Sequence, residues 1–489
     1  MTHQPIKNNS SWKRILLIKP NYRVADFPPI NLPPLNLTYI ASYLIDLDVD
    51  IEIIDAKVNN LSYKQIRKKI QKFQPDIVGI TVYVTPAIKI CYKIAKIVKE
   101  VNSNCIVVFG GRHPTFEPED TFQSKDVDII VRGEGELTFR ELIINGSPEE
   151  VDGISYRYNG KIVHNQDRPL MDYANIRFPA RHLLKNYKYL NFTVRQETIE
   201  TSRGCPFACK FCTTHVINNG HWRPQPIEKI ITELKIISKN KHNMDIFFVD
   251  DNFAADTKRI EKLCTRIIEC KKKKEIKDFK FLAQVRADSV VISPQMIKKM
   301  AEAGFYNVFF GIESIYDKTL QGIGKGITFN KVLKAIEVLH KNHIIIMGNM
   351  IIGSDLNQKE DDVIKEIKFM KNVDVDILSF SLLTPFPGTA IFRELDEKKL
   401  LISKDWTKYT LYNPVIKTYQ LSPEKLRELF HFALKEFKYS NNLRAMVYRL
   451  TKTRGKLFFL NPIRLFLLFK LFIEARILLK VMSKQFINP

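Results

Sequence analysis

Short apolar runs alternate with amphipathic stretches along the first 145 residues of the chain. The apolar runs are rich in β-branched residues and lie at 15–18, 49–54, 77–82, 106–109 and 128–131. Amphipathic, helix-like stretches lie between them, near 36–47, 61–73, 87–101 and 136–145. Short continuous apolar runs are typical of buried parallel strands. Five such strands with helical crossovers predict a Rossmann- or flavodoxin-like doubly wound sheet, in a first domain over 12–147.

The alternation resumes with a longer period between residues 195 and 400. One strand candidate ends at 200–201, and five more lie at 246–249, 281–285, 308–310, 344–350 and 378–383. Six strand–helix units predict a partial TIM (β/α)6 barrel as the second domain, over 195–400. We expect 148–194 to link the two domains and 401–489 to form a helical C-terminal region.

Glycine and polar residues follow the strands of the first domain, at the sheet edge where doubly wound folds bind ligands. Thr81 and Tyr83 follow the third strand, 110–115 follows the fourth, and 132–136 follows the fifth. Paired glycines allow the backbone to approach a ligand closely and turn amide groups toward a phosphate. A Gly-Gly pair after a strand is equally typical of an ordinary turn, so these loops alone leave both interpretations open.

Polar residues follow the strands of the second domain in the same way, and the carboxyl ends of barrel strands are where barrel enzymes hold their active sites. In strand order these residues are a cysteine-rich loop at 205–212, then Asp250, Asp251 and Asn252, then Arg286, then Glu313, and then Gly353. Each has a structural alternative: the 250–252 segment is also a good helix cap, and a Glu313–Arg286 ion pair is an ordinary scaffold. Their convergence on one rim favours a site.

Cys205, Cys209 and Cys212 form a Cys-x3-Cys-x2-Cys motif within one short loop. Thiolates are the soft ligands of iron–sulfur clusters, and a cubane normally takes four protein ligands. With three local cysteines, one iron keeps an open position for a reactant. The motif therefore predicts a catalytic 4Fe–4S cluster.

Structural zinc is the alternative to a cluster. Zinc sites usually combine two cysteine knuckles, or one knuckle and two histidines. His215 and His221 follow the motif and are candidate ligands for such a site. The other four cysteines form no second knuckle: Cys91, Cys105, Cys264 and Cys270.

The composition agrees with a reducing compartment. Seven cysteines over 489 residues have no disulfide-like spacing, and 45% apolar content is ordinary for a chain with a large buried core. The first residues lack the apolar core of a signal peptide. We expect a cytoplasmic protein.

The cysteine motif, with the aromatic Phe211 before its last cysteine, is identified as that of the radical S-adenosylmethionine (SAM) superfamily. The order of the two domains resembles the cobalamin-dependent branch of that superfamily. So do the segments 110–115, 132–136, 311–314 and 385–389. The resemblance extends over about residues 12–440, and it implies that the first domain binds cobalamin.

The resemblance implies a role for each matching residue. Cys205, Cys209 and Cys212 hold three irons of the cluster, and the fourth iron binds SAM. SAM contacts are expected at Phe211, Asp250, Asp251, Asn252, Arg286, Glu313 and Gly353. Cobalamin contacts are expected at Thr81, Gly110, Gly111, His113, Thr115, Gly133 and Glu134.

Two departures from the family pattern are visible. Asp-Asp-Asn stands at 250–252, where the family has the Gly-Gly-Glu segment that binds the amino group of SAM. The Asp-x-His-x-x-Gly motif that ligates cobalt in many cobalamin domains is absent from the sequence, and His113 is not its equivalent. Many members of the radical branch lack that motif.

The implied activity is formation of a 5′-deoxyadenosyl radical and, with cobalamin, methylation of an unactivated carbon in a hydrophobic metabolite. Lipids, isoprenoids and tetrapyrroles are the expected substrate classes, with hopanoid methylases and the anaerobic magnesium-protoporphyrin oxidative cyclase as similar enzymes. The alternative is radical oxidation or cyclisation without methyl transfer. An electron donor such as flavodoxin or ferredoxin is implied. RNA- and protein-modifying radical methylthiolases usually carry additional cluster cysteines before the motif, and here Cys91 and Cys105 have the wrong spacing.

The formal charge of +23 is concentrated toward the C-terminus, where residues 441–489 contain ten Lys and Arg against one acid, Glu474. A helix starting near Asn461-Pro462 places most of its charges opposite a Leu- and Ile-rich face. This pattern predicts an amphipathic helix lying on the cytoplasmic membrane surface. Nucleic acid is the competing partner for a basic chain, but the aliphatic face argues against it. Packing on the protein's own surface is the other alternative.

Overall fold

The computed structural model describes residues 12–22, 31–184, 187–191, 194–242, 244–437 and 443–454. The amphipathic helix predicted from Asn461 lies outside these ranges. Within them, no helix combines the length and the apolar character that a membrane crossing requires.

The first domain is a doubly wound sheet, as predicted. Its strands are β1 (Arg14–Lys19), β2 (Asp50–Asp55), β3 (Ile77–Thr81), β4 (Ile106–Gly110), β5 (Ile129–Val131), β6 (Ile154–Tyr158) and β7 (Lys161–His164). Its helices are α1 (Leu35–Ser42), α2 (Tyr63–Phe73), α3 (Ile88–Val101), α4 (Arg112–Phe116), α5 (Pro118–Thr121) and α6 (Gly135–Asn145). The strand order is β2-β1-β3-β4-β5-β6-β7, with β1 to β5 parallel.

The hairpin β6–β7 pairs antiparallel with β5 and extends the first sheet. It falls within the segment 148–194 that the sequence assigned to a linker, so this part of the segment belongs to the sheet. The alternation of Tyr156 and Tyr158 with polar residues is a weak signal beside the apolar runs of the buried strands.

The second domain is an open half-barrel, which confirms the predicted partial barrel. The strands of its sheet are β8 (Leu190–Asn191), β9 (Val194–Ile199), β12 (Met244–Phe248), β13 (Lys280–Val285), β14 (Phe305–Glu313), β15 (Ile345–Ile352) and β16 (Ile377–Leu382). Two short strands, β10 (Ser202–Arg203) and β11 (Arg223–Pro224), form a separate pair. The sheet order is β16-β15-β14-β13-β12-β9-β8, with β9 to β16 parallel and β8 antiparallel.

Helices surround the half-barrel and cover its ends. They are α7 (Thr213–Ile217), α8 (Ile227–Ser238), α9 (Thr257–Lys272), α10 (Ala287–Ile292), α11 (Pro294–Ala303), α12 (Asp317–Gly322), α13 (Phe329–Lys341), α14 (Glu360–Phe369), α15 (Ala390–Glu397), α16 (Pro423–Glu436) and α17 (Leu443–Arg454). Short 3-10 turns lie at Thr85–Ala87, Tyr173–Asn175, Arg181–Leu184, Met370–Asn372 and Trp406–Lys408.

The two faces of the half-barrel differ in burial, because side chains alternate along a strand. In β15, Ile346, Met350 and Ile352 are buried in the core beneath the helices. Met347 and Asn349 alternate with them and are only partly buried, so they lie on the concave face. The concave face is therefore the open side of the sheet.

Helix α17 closes the lower end of the concave face. Met446 and Leu450 pack against a cluster on that face formed by Phe247, Leu282, Tyr306 and Ile345. Arg449 is 6% exposed and forms ion pairs with Asp374 (2.6 Å) and Asp376. Arg449 is one of the ten basic residues of 441–489, and it anchors the helix to the barrel.

Candidate active site

The cysteine loop begins where β9 ends and is anchored by Asp250. The Asp250 carboxylate is fully buried and accepts hydrogen bonds from Thr201 N (3.0 Å), Thr201 Oγ1 (2.7 Å) and Ser202 Oγ (2.5 Å). Burial raises the pKa of Asp250, and these donors oppose that rise. Since its oxygens are occupied by the loop, the geometry gives Asp250 a scaffold role and does not support its predicted contact with SAM.

Two glycines let the loop pack closely on its neighbours. Gly204 has a φ of +85°, and a Cβ there would lie 2.0 Å from the carbonyl oxygen of His221. Gly324 has a φ of +70°, and a Cβ there would lie 3.0 Å from Ala208 O. A hydrogen bond from Lys210 N to Ile323 O (2.9 Å) joins the same two loops. The path of the cysteine loop is therefore fixed from both sides.

Two cations lie beside the cysteines. Arg286 Nη1 is 3.7 Å from Cys209 Sγ, and its guanidinium lies 3.6 Å from the ring centre of Phe207. Burial raises the pKa of the Cys209 thiol, while the charges of Lys325 and Arg286 act in the opposite direction. Positive charge next to thiolates stabilises the deprotonated form that binds iron.

The three thiols are free and partly buried. Among the described residues, no group of three or more His, Cys, Asp or Glu side chains converges on a single ion. Three cysteines of a cubane each bind a different iron, so a cluster does not require such convergence.

Glu313 and Lys325 form a buried ion pair of 2.7 Å on the same rim. Glu313 has a φ of +66°, and a Cβ on Gly311 would lie 2.1 Å from Glu313 Oε1. Arg286 instead pairs with Asp288 at 2.9 Å, so the Glu313–Arg286 pair considered from the sequence does not form. Gly311 thus makes room for the Glu313–Lys325 pair.

Asn252 differs from its two acidic neighbours. Its side chain is 1% exposed, and neither amide atom has a hydrogen-bond partner among the described residues. Buried polar groups are nearly always paired in native structures. Asp251 is more exposed and accepts a hydrogen bond from Thr214 Oγ1 at 2.9 Å. Of the three residues 250–252, Asn252 is the one whose side chain is buried without a partner among the described residues, and its contact with SAM stays a prediction.

The remaining predicted SAM residues lie at the edges of this rim. Gly353 directly follows β15 and has a φ of +83°, a conformation that favours glycine. A Cβ there would meet Leu426 at 3.2 Å. Phe211 is partly buried and packs against the main core. Their contacts with SAM stay predictions.

A cavity of about 320 Å³ lies at the carboxyl edge of the first sheet and is closed by the second domain. The first domain contributes Thr81, Gly110, Gly111, Arg112, Gly133 and Glu134 at its mouth and Leu17, Ile40, Gly79 and Phe139 deeper in. The second domain contributes Glu200, Arg203, Ile217, Asn218 and Asp251. The cavity therefore lies between the two domains, with one wall made by segments that flank the cysteine loop.

The mouth of the cavity is built from glycine loops. Gly111 has a φ of +115°, and a Cβ there would lie 2.5 Å from Val82 O. A Cβ on Gly133 would meet nothing within 4 Å, so the backbone there faces open space. The Thr115 hydroxyl donates to Gly111 O (2.8 Å) and accepts from Gly133 N (3.0 Å), which ties the two loops together.

The structure corrects the interpretation of His113. It is 1% exposed, with Nε2 3.3 Å from Asp120 Oδ2 and its ring edge-on to Trp406 at 5.3 Å. His113 is not among the described residues that line the cavity. It packs below the loop, so the geometry does not support a contact with cobalamin.

Glu134 is an interdomain residue. Its carboxylate pairs with Arg203 (3.0 Å) and Arg223 (2.8 Å), and it accepts a hydrogen bond from Met171 N (2.9 Å). Burial alone raises the pKa of Glu134, but the two arginines hold it below its ordinary value. Glu134 thus joins the first domain to the loop that leads into Cys205, and its role toward cobalamin stays a prediction.

The sequence reasoning missed the arginines that cross between the domains. Arg203 pairs with Glu136 (2.6 Å) and Glu200 (3.0 Å) as well as Glu134, and stacks 4.7 Å from the ring centre of Tyr173. Arg112 donates to Thr213 Oγ1 at 3.0 Å, directly after the last cysteine. Both residues could have been found from their positions, because each lies next to a glycine in a loop that the sequence predicts to bind a cofactor.

Comparison with known proteins identifies the family. The B12 binding domain family matches residues 28–143, and the Radical SAM superfamily matches residues 199–367. An uncharacterised methyltransferase of Pyrococcus horikoshii is 37% identical over 411 residues, which cover 83% of this chain and 87% of that protein. The chain belongs to the cobalamin-dependent radical SAM enzymes.

Another relative of this radical SAM enzyme is named for a reaction other than methyl transfer. The anaerobic magnesium-protoporphyrin IX monomethyl ester cyclase of Rubrivivax gelatinosus is 28% identical over 423 residues, covering 83% of this chain and 73% of the cyclase. The structure of the cobalamin-dependent SAM radical enzyme OxsB, with aqua-cobalamin and SAM bound, superposes with a TM-score of 0.72. It is 20% identical, over 97% of this chain and 80% of OxsB, and this likeness concerns the fold.

The cofactors of this radical SAM enzyme are a 4Fe–4S cluster, SAM and cobalamin, and the described residues fit all three. Three free thiols beside Arg286 and Lys325 suit an iron–sulfur cluster. The unpartnered Asn252 amide suits the polar end of SAM. The glycine loops that line the cavity between the domains allow the backbone to approach one part of cobalamin closely, since about 320 Å³ holds a fragment of that cofactor and not the whole.

Proposed function

We propose that this enzyme methylates an unactivated carbon of a hydrophobic small molecule of the lipid, isoprenoid or tetrapyrrole class. The observation that carries the proposal is the shared wall between the glycine-lined cavity and the cysteine loop. Asp251 and Arg203 line the cavity, and both adjoin segments that hold the cysteine loop. A cavity for cobalamin in that position faces the rim where SAM is cleaved. The word methyltransferase in the name of the Pyrococcus relative agrees with this proposal.

The residues of the chain have separate tasks in the proposed reaction. When bound, the cluster and SAM supply a carbon radical, and cobalamin carries the methyl group. Cys205, Cys209 and Cys212 hold the cluster, and Arg286 and Lys325 offset negative charge beside it.

The polar groups around the rim bind and orient the cofactors. Asn252 binds the amino group of SAM through its unpartnered amide. Thr81, Gly110, Gly111 and Gly133 hold cobalamin at the mouth of the cavity. The ion pairs of Arg203 and Glu134 hold the two domains together and exclude water from the space between them.

Radical oxidation or cyclisation without methyl transfer is the second candidate, favoured by the likeness to the magnesium-protoporphyrin ester cyclase. Either reaction takes electrons from a donor such as flavodoxin or ferredoxin.

We also propose that the chain sits at the cytoplasmic face of the membrane through residues 461–489, whose basic amphipathic pattern supports this.

Product analysis separates the two reactions. The enzyme is reconstituted anaerobically and incubated with cobalamin, a low-potential reductant, SAM with a deuterated methyl group, and a lipid and pigment extract of the native cells. We expect the extract to increase 5′-deoxyadenosine and S-adenosylhomocysteine in equal amounts and to yield one labelled product. Release of 5′-deoxyadenosine with an unlabelled, oxidised product would replace methylation with the second candidate.

A further inference from the structure

A tight turn follows β16 and lies between the two domains. Residues 386–389 form a β-turn that is closed by a hydrogen bond from Thr389 N to Phe386 O (3.2 Å). Pro387 occupies the second position of the turn, and Gly388 occupies the third with a φ of +83°. This arrangement is typical of a type II turn, which requires a positive φ at its third position. The turn residues are not among the described residues that line the cavity between the domains.

One side of the turn packs against residues 110–116 of the first domain, here called the glycine loop. A Cβ on Gly388 would lie 2.6 Å from Phe116 Cε1 and 2.7 Å from Phe116 Cγ, so any side chain there would displace the ring. Phe116 directly follows Thr115, whose hydroxyl joins the glycine loop to Gly133. The turn therefore contacts the element that holds the mouth of the cavity together.

The other side of the turn leads into α15, which is bonded to the cysteine loop. Thr389 is the N-cap of α15, and its hydroxyl accepts a hydrogen bond from Phe392 N (3.2 Å). Ile391 N, in the first turn of the helix, donates to Lys210 O at 3.0 Å. The first amide groups of a helix have no partner within it, so they are available to hold another segment. Lys210 lies between the second and third cysteines of the motif.

Trp406 makes a second contact between the same two elements. Its ring is buried and lies 5.3 Å from the ring of His113 in α4 and 6.2 Å from the ring of Phe392 in α15. Aromatic rings at such distances, in edge-on or tilted arrangements, stabilise a packed contact. Helices α4 and α15 are therefore joined at two neighbouring points, one at Gly388 and one at Trp406.

We infer that the segment 385–391 is a spacer that sets the separation between the glycine loop and the cysteine loop, with Phe116 and Gly388 as its positioning residues. The path from the Phe116 ring to Lys210 O runs through 388–391, and its last two residues already belong to α15. A misplacement of about 1 Å can cost about 100-fold in rate. The role of the spacer is the same for methyl transfer and for radical oxidation, because both reactions use cobalamin and SAM together.

Cobalamin bound at one end of the spacer should be detected at the other end. Hydrogen exchange of the Ile391 amide is measured by mass spectrometry in the full-length, anaerobically reconstituted enzyme, with and without saturating hydroxocobalamin. Coupling between two sites is typically about 5–150-fold, so we expect hydroxocobalamin to slow this exchange at least about 5-fold in the wild type. In Phe116→Ala and in Gly388→Ala the effect should fall below about 2-fold. Bound iron and cobalt are measured in each sample, so that lost coupling is not mistaken for a lost cofactor.

Two control variants match these changes. Gly160 has a φ of +76° in the turn between β6 and β7, and a Cβ there would meet nothing within 4 Å. Gly160→Ala therefore adds similar backbone strain without a contact. Phe73 is a partly buried ring of the first domain at the end of α2, so Phe73→Ala removes a ring elsewhere. Both controls should keep the wild-type effect of hydroxocobalamin on the Ile391 amide.

The double variant Phe116→Ala/Gly388→Ala separates loss of this contact from general weakening. The three atoms nearest to a Cβ on Gly388 all belong to Phe116. The double variant should therefore lose less Tm than the two single variants together. The two single variants probe the contact from opposite sides, so a failure of one to fold leaves the other to test it.

Three results would overturn the inference. They are an Ile391 amide that does not respond to hydroxocobalamin in the wild type, an undiminished response in Phe116→Ala or Gly388→Ala, and losses of Tm that add in the double variant. Amide exchange requires no turnover, so failure of the spacer and failure of the proposed function give different results.

Discussion

A Cys209→Ala variant is expected to lose bound iron and SAM cleavage together while keeping the wild-type circular dichroism. The thiol of Cys209 lies 3.7 Å from Arg286 on a loop that is held independently by Asp250 and by the Lys210–Ile323 hydrogen bond. Loss of the thiol therefore removes a ligand and leaves the scaffold. Outer-shell changes alone cost about 10–100-fold in metal affinity or activity, so we expect a loss of more than about 100-fold. Iron per chain and release of 5′-deoxyadenosine measure it.

Cys264→Ala is the control for this change. Cys264 is fully buried on α9, away from the cysteine loop, and the variant should keep its iron. An unchanged iron content in Cys209→Ala would contradict the assignment of the cluster to this loop.

Asp250→Ala should destabilise the second domain by about 3–5 kcal/mol and reduce iron loading at the same time. The change removes a buried acceptor of three hydrogen bonds, and breaking a buried ionic contact by removing one partner costs about 3–5 kcal/mol. It also removes one of the two negative charges near the buried Arg259, the other being that of Asp256. Denaturant unfolding under anaerobic conditions and iron analysis measure the two effects.

Asp256→Ala is the matched control for Asp250→Ala. Asp256 is the N-cap of α9 and accepts one hydrogen bond, from Arg259 N at 3.0 Å. Removing a cap costs about 0.5–2 kcal/mol and should leave iron loading unchanged. If both aspartate variants lose the same stability and neither loses iron, Asp250 does not anchor the cysteine loop.

The strands and helices could be predicted because their signals are local. The five parallel strands of the first sheet overlap the predicted apolar runs, and the strands from 77 and from 106 begin at the predicted residues. The cysteine motif could be recognised for the same reason, because its three cysteines lie within eight residues. Placing Asp250, Arg286 and Glu313 on one rim followed from strand order alone.

The partners of individual charged residues could not be predicted, because they depend on contacts between distant segments. Glu134 meets Arg203 across 69 residues, and Arg449 meets Asp376 across 73. His113 occupies a glycine-rich loop in sequence, but its ring packs against Trp406. A polar residue next to a motif is thus a weak predictor of ligand contact until its own hydrogen bonds are known.

Electron paramagnetic resonance of the reduced, reconstituted enzyme tests the central claim, an iron without a protein ligand that binds SAM. Three cysteines hold the proposed cluster, and the Asn252 amide has no partner among the described residues. We predict a 4Fe–4S signal that changes its g values when SAM is added, in the wild type and not in Cys209→Ala. A spectrum that is identical with and without SAM would contradict an open iron position in this enzyme.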